Sequence, residues 1–103
     1  MIIIKSKNNV PIRLTLERWE HIIKRHPEMK TLKEKTIEAI SDPDMIQKGD
    51  FNSLVAIRSF KDLPFSVNYL VVIYKETNSK DGFVITSYIT NYPSTRRKTL
   101  WKR

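Results

Sequence analysis

Residues 67–91, VNYLVVIYKETNSKDGFVITSYITN, decide how the chain is read. Val67 to Tyr74 is apolar on both faces, the pattern of a strand covered on both sides and therefore central in its sheet. Asp81-Gly82 reads as the end of a polar turn, and Phe83 to Asn91 then alternates. Phe83, Ile85 and Ile89 fall on one face, which belongs against helices. Thr86, Tyr88 and Thr90 fall on the other, with Tyr92 just beyond. Threonine and tyrosine are good strand formers, so this row is one of two things. It is a solvated sheet face, or it is a surface that hydrogen-bonds phosphate and stacks a base.

Upstream, Leu54 to Phe60 also alternates, with Leu54, Ala56, Arg58 and Phe60 on one face. Met45 to Lys48 predicts a short strand ended by Gly49-Asp50, and Lys98 to Trp101 a last one. Before Pro43 the period is helical instead. Thr15 suits the N-cap of a helix reaching about His26, where Pro27 removes a donor and stops it. Leu16, Trp19, Ile22, Ile23 and His26 line the apolar side of that helix, and Glu17, His21, Lys24 and Arg25 the polar side. Thr31 and Glu34 have capping-box spacing and predict a second helix carrying Leu32, Ile37 and Ile40, closed by Ser41-Asp42. Residues 1–14 read as an extended segment that can turn back at Asn8-Asn9. The expectation is a single α+β domain in which two N-terminal helices, within residues 15–42, pack on one face of an antiparallel sheet. That sheet, within residues 45–101, would have about four to five strands.

The chain of 103 residues, 40% of them hydrophobic, has room for one core and no second domain. It has no cysteine, which excludes disulfides, a thiolate nucleophile and a cysteine zinc site. Met1-Ile2-Ile3-Ile4 meets Lys5 at once, too short a run for a signal peptide, and Tyr69 to Tyr74 is strand-sized rather than membrane-sized. The reading is a soluble cytoplasmic protein without membrane partners. Nineteen Lys and Arg against eleven Asp and Glu leave +8. That surplus serves either solubility or attraction to polyanions. Arg96, Arg97, Lys98, Lys102 and Arg103 cluster around Trp101 with no acidic residue among them, which favours the second.

Only two histidines are present, His21 and His26. Five residues is about 140° around a helix, so the two rings diverge unless the last turn unwinds. Imidazole exchanges a proton near neutral pH, with an ordinary pKa of about 6.5. His26 is either a core filler or a ring presented where the helix ends. His21 reads from periodicity as a surface residue. Neither HExxH spacing nor a glycine-rich phosphate loop occurs, and Glu17, Glu20 and Glu28 make a poor metal set with these histidines, so no metal or cofactor is expected. Arg58, flanked by Ile57 and Ser59 in a strand, needs an anion or water, and Arg96 and Arg97 follow the tyrosine strand closely.

One run carries a resemblance. Arg18-Trp19-Glu20-His21-Ile22-Ile23-Lys24-Arg25-His26-Pro27-Glu28 resembles the RWxHIxxRHPE helix of phage-associated PBECR nuclease domains, in the barnase–EndoU–colicin–RelE-like superfamily. In the same order, Ser41-Asp42-Pro43-Asp44 resembles that family's xDPD helix exit. Phe83 to Tyr88 resembles its FVxTxY strand, and Leu100-Trp101 its terminal LW. The likeness spans Leu14 to Trp101. It implies a barnase/RelE-like fold and a cofactor-free ribonuclease site of histidine, basic and hydroxyl residues, here His21, His26, Thr86 and Tyr88. That raises His21 above its reading from periodicity.

The expectation for function is a metal-independent endoribonuclease, toxin-type or phage-associated, that uses the RNA 2′-hydroxyl as nucleophile. His26 would act as base or acid and His21 as its complement. Tyr88 and Thr86 would serve as donors or base contacts, and Arg25, Arg58, Arg96 and Arg97 as phosphate ligands. RNA is the expected partner, with a cognate antitoxin or immunity protein as a second. The alternative is a non-catalytic RNA-binding or antitoxin-binding domain.

Overall fold

The computed structural model describes residues 1–103. In chain order the elements are β1 (Ile2–Lys5), β2 (Pro11–Leu14), α1 (Leu16–Arg25), α2 (Lys33–Ser41), β3 (Met45–Lys48), β4 (Leu54–Ser59), β5 (Tyr69–Asn78), β6 (Asp81–Thr90) and β7 (Thr99–Lys102). All seven strands form one sheet in the order β1-β2-β6-β5-β4-β3-β7. The expected architecture is therefore corrected on three points. The strands number seven rather than four or five, the sheet is mixed rather than antiparallel, and the helices do not lead the chain but follow a hairpin.

The difference starts at the N-terminus. The segment turns back through Asn9, whose φ of 66° suits asparagine, and β1 pairs antiparallel with β2. The hairpin then joins the sheet through a parallel contact, Ile12 beside Gly82 and Arg13 beside Phe83. Gly82, which reads as a turn glycine, is a strand residue. A β-carbon there would lie 2.6 Å from Ile12 Cδ1 and 2.4 Å from the Lys75 carbonyl oxygen. The actual turn is at Ser79-Lys80, where Asn78 Oδ1 accepts the Lys80 N–H at 2.8 Å.

Thr15 caps α1 as its chemistry predicts, its hydroxyl accepting the Arg18 N–H at 3.1 Å. Trp19 and Ile22 are buried beneath the helix. The capping box at Thr31 does not form. Pro27–Thr31 coils into a 3-10 turn, and Leu32 takes the N-cap position of α2 without a side-chain acceptor. Both helices lie on one face of the sheet, over a core that includes Ile12, Leu14, Met29, Ile40, Leu70, Val72 and Tyr74. The outer face has a smaller cluster of Val55, Ile57 and Val71. The connection from β6 to β7 crosses this outer face, held where Gln47 Nε2 donates to the Ser94 carbonyl at 2.7 Å. At the far edge, Lys7 Nζ lies 4.6 Å from the Trp101 ring centroid and joins the first hairpin to β7. No helix is long and apolar enough to cross a membrane.

A β-bulge sets the faces of β6. Tyr74 pairs with Val84 and Ile73 with Thr86, which leaves Ile85 unpaired. An extra residue switches the alternation, so Val84 faces the helices before the bulge and Ser87 after it. Phe83, expected in the core, is exposed, while Val84 is buried. Thr86, Tyr88 and Thr90 remain on the outer face.

Candidate active site

Past Phe83, β6 has no strand on its β2 side, and α1 packs against it there. The result is an open cleft of about 450 Å³ lined by Arg18, His21, Arg25, His26, Ile85, Thr86 and Tyr88. Five of these, His21, His26, Thr86, Tyr88 and Arg25, are sequence candidates. Arg18 lines the cleft as well and was not among the sequence candidates. Its signal was the spacing of Arg18, His21 and Arg25 at i, i+3 and i+7, which puts three polar side chains on one helical stripe.

The two histidines line one cleft because α1 ends where it does. His26 has left the helix, with φ −132° and ψ 77°, while its N–H still bonds the Ile22 carbonyl at 2.7 Å. Pro27 enforces that exit, since the residue before a proline avoids helical geometry. The unwound residue brings its ring around to the side occupied by His21, and its centroid lies 5.7 Å from that of Tyr88. His26 is half-buried and His21 exposed.

Tyr88 is held from behind. Ser87 is fully buried on the helix face, its hydroxyl donating to the Val71 carbonyl at 3.1 Å and lying 3.3 Å from Thr36 Oγ1. Thr36 in turn donates to the Leu32 carbonyl at 2.9 Å. A residue anchored inward makes its neighbour point outward, so this buried hydroxyl pair fixes the side from which Tyr88 enters the cleft. Across it, Arg18 Nη1 approaches the carbonyl oxygen of the bulged Ile85 at 3.4 Å.

The cleft has no acidic lining residue. Arg18 and Arg25 take part in no ion pair, whereas Arg13, Arg58, Arg97 and Arg103 all do. Two unneutralised guanidiniums beside two imidazoles suit an anion with transferable protons nearby. Glu17 and Glu20 lie in an adjoining hollow that shares Arg18 and His21. Nowhere do three or more His, Asp or Glu side chains gather as ligands for a cation would.

The other arginines lie elsewhere. Arg58 pairs across the strands with Leu70, on the helix face. There Nη1 donates to the Asp42 carbonyl at 2.6 Å and to its carboxylate at 2.8 Å, and Nη2 lies 3.2 Å from Glu38. It neutralises the C-terminus of α2 and is not a phosphate ligand of this cleft. Arg97 is bound to Asp50 at 3.2 Å. Arg96 lies on the outer-face crossing, also outside the cleft. The basic C-terminal cluster, undiluted in sequence, is thus partly neutralised in space, because Arg103 also binds Asp42 and Asp44. Hydrogen bonds from Arg103 and then Arg58 hold the Asp42 carboxyl below the usual carboxylate range. No known family pattern matches the chain, and neither a curated protein nor a solved structure matches it.

Proposed function

We propose that the chain is an endoribonuclease that cleaves single-stranded RNA by 2′-hydroxyl transesterification, with the α1–β6 cleft as its active site. The observation carrying this reading is the convergence of His21, His26, Arg18 and Arg25 with Thr86 and Tyr88 in one acid-free cleft. In this chemistry the RNA supplies its own nucleophile. One histidine, neutral, takes the 2′-hydroxyl proton as the 2′-oxygen bonds to phosphorus. The other, protonated, gives a proton to the departing 5′-oxygen. Arg18 and Arg25 stabilise the charge that grows on the phosphoryl oxygens. Tyr88 and Thr86 donate hydrogen bonds or contact the base. The products are a cyclic 2′,3′-phosphate and a 5′-hydroxyl. The resemblance of Arg18–Glu28 to PBECR nuclease helices supports the same reading. A toxin-type role would add an antitoxin or immunity protein, whose acidic groups would cover these free arginines.

The test is incubation of RNA with the purified protein and a chelator, followed by end-group analysis. Cyclic phosphate or 3′-phosphate ends are expected. Ends with 5′-phosphate and 3′-hydroxyl would end the proposal. Replacing both histidines separates catalysis from RNA binding, since a binding domain would keep its affinity.

A further inference from the structure

We infer that a second hollow, formed by Tyr69, Asn91, Tyr92 and Arg96 on the outer face, is a subsite for a nucleobase and phosphate flanking the scissile bond; this rests on the cleft being a ribonuclease site. The hollow measures about 530 Å³ and has no acidic lining residue. Tyr92 is 89% exposed, so its ring is open to a stacking ligand. Arg96, like Arg18 and Arg25, belongs to no ion pair, although Arg97 beside it is bound to Asp50.

Two relationships tie the hollow to the cleft. Tyr69 pairs with Thr90 across the strands, and Thr90 follows Tyr88 on the same face of β6. The strand rise places Thr90 roughly 7 Å beyond Tyr88, so Thr86, Tyr88 and Thr90 make a polar track from the histidines to Tyr92. The rim is also preorganised. Asn91 Oδ1 accepts the Asn68 N–H at 2.9 Å, Thr90 Oγ1 accepts the Tyr92 N–H at 3.0 Å, and Ser94 Oγ accepts the Arg96 N–H at 3.2 Å. Aromatic rings beside an unpaired arginine are how proteins hold unpaired bases, the ring stacking and the guanidinium meeting phosphate. A protein partner would instead be expected to bury a continuous apolar centre, which this polar rim does not offer.

The experiment uses a fluorescent octanucleotide with 2′-deoxyribose throughout, which lacks the nucleophile, and a series in which one base at a time is removed. For the wild-type chain, loss of one base is expected to weaken binding about five- to hundredfold, the range for a stacked base. In Tyr92→Ala that sensitivity is expected to vanish, and Tyr92→Phe is expected to keep it. A flat series for the wild type, or one unchanged by Tyr92→Ala, overturns the subsite while RNA cleavage still stands. A wild-type chain that neither binds nor cleaves RNA overturns both.

Discussion

The rings of His26 and Tyr88 lie with centroids 5.7 Å apart and planes tilted by 31°. One belongs to the residue that ends α1 and the other to the C-terminal part of β6, so the pair bridges the two walls of the cleft. Neither belongs to the buried core over which the helices pack.

From that position, His26→Ala is expected to lower RNA cleavage by about 10²–10⁴-fold, the usual contribution of a general acid or base. The fold should survive, because the ring lines an open cleft. Circular dichroism and a thermal melt check this alongside the assay. Tyr88→Phe keeps the ring and loses only the hydroxyl, so a smaller loss is expected. A folded, fully active His26→Ala protein would remove the residue from the mechanism.

Arg18 and Arg25 are the free guanidiniums of the cleft. Replacing both with alanine is expected to weaken RNA binding for every sequence and to reduce the salt slope by about two. Arg58→Ala should leave the slope unchanged, since that guanidinium is held by Asp42 and Glu38. Affinities at a series of salt concentrations decide the matter, and an Arg58 effect as large as the Arg18 effect would contradict the assignment.

Gly82→Ala tests the junction between hairpin and sheet. The new methyl would press on the Lys75 carbonyl and on Ile12, which is fully buried. Backbone on a paired neighbour strand yields little, so a loss of about 1–3 kcal/mol is expected. Because β2 leads directly into α1, cleavage should fall as well. An unchanged denaturation midpoint would show that β2 and β5 both make room for the methyl at little cost.

Acid should destabilise the fold through Asp42, Asp44 and Asp81. Asp42 and Asp81 are lowered chiefly by hydrogen bonds from Arg103 and Arg13 respectively. Burial raises Asp44, but the Ser59 N–H and hydroxyl together with the charges of Arg58 and Arg103 outweigh it, and its carboxyl also ends low. A carboxyl with a lower pKa folded than unfolded binds fewer protons in the folded state. Its contribution is therefore complete above the unfolded value of about 3.9 and is lost as pH falls through the folded value. Melting temperature is expected to fall across that range, and less steeply in Asp42→Asn. Asp42 is exposed and Asp44 and Asp81 are only partly buried, so added salt should shrink the effect.

Local chemistry was enough for the parts of this protein whose causes are local. Thr15 as a cap, Pro27 and Pro43 as stops, and the apolar run of β5 could all be read along the chain, because each depends on neighbours within a turn or on one residue's own preferences. His21, His26, Arg25, Thr86 and Tyr88 were nameable there too, the first two from scarcity and all but Arg25 also from the family-like motifs. What followed from packing was different in kind. Parallel pairing of β2 with β6 joins residues about 70 apart, and no local period records it. The bulge at Ile85 moved Phe83 out and Val84 in, because alternation reports two faces but not where their sense switches. Arg58, Arg97 and Arg103 looked available to phosphate until folding brought Glu38, Asp42, Asp44 and Asp50 against them. Arg18 and Arg25 kept their charge for the cleft. A guanidinium's freedom depends on which carboxylates the fold sets beside it, and Coulomb attraction acts on distance in space, not on distance along the chain.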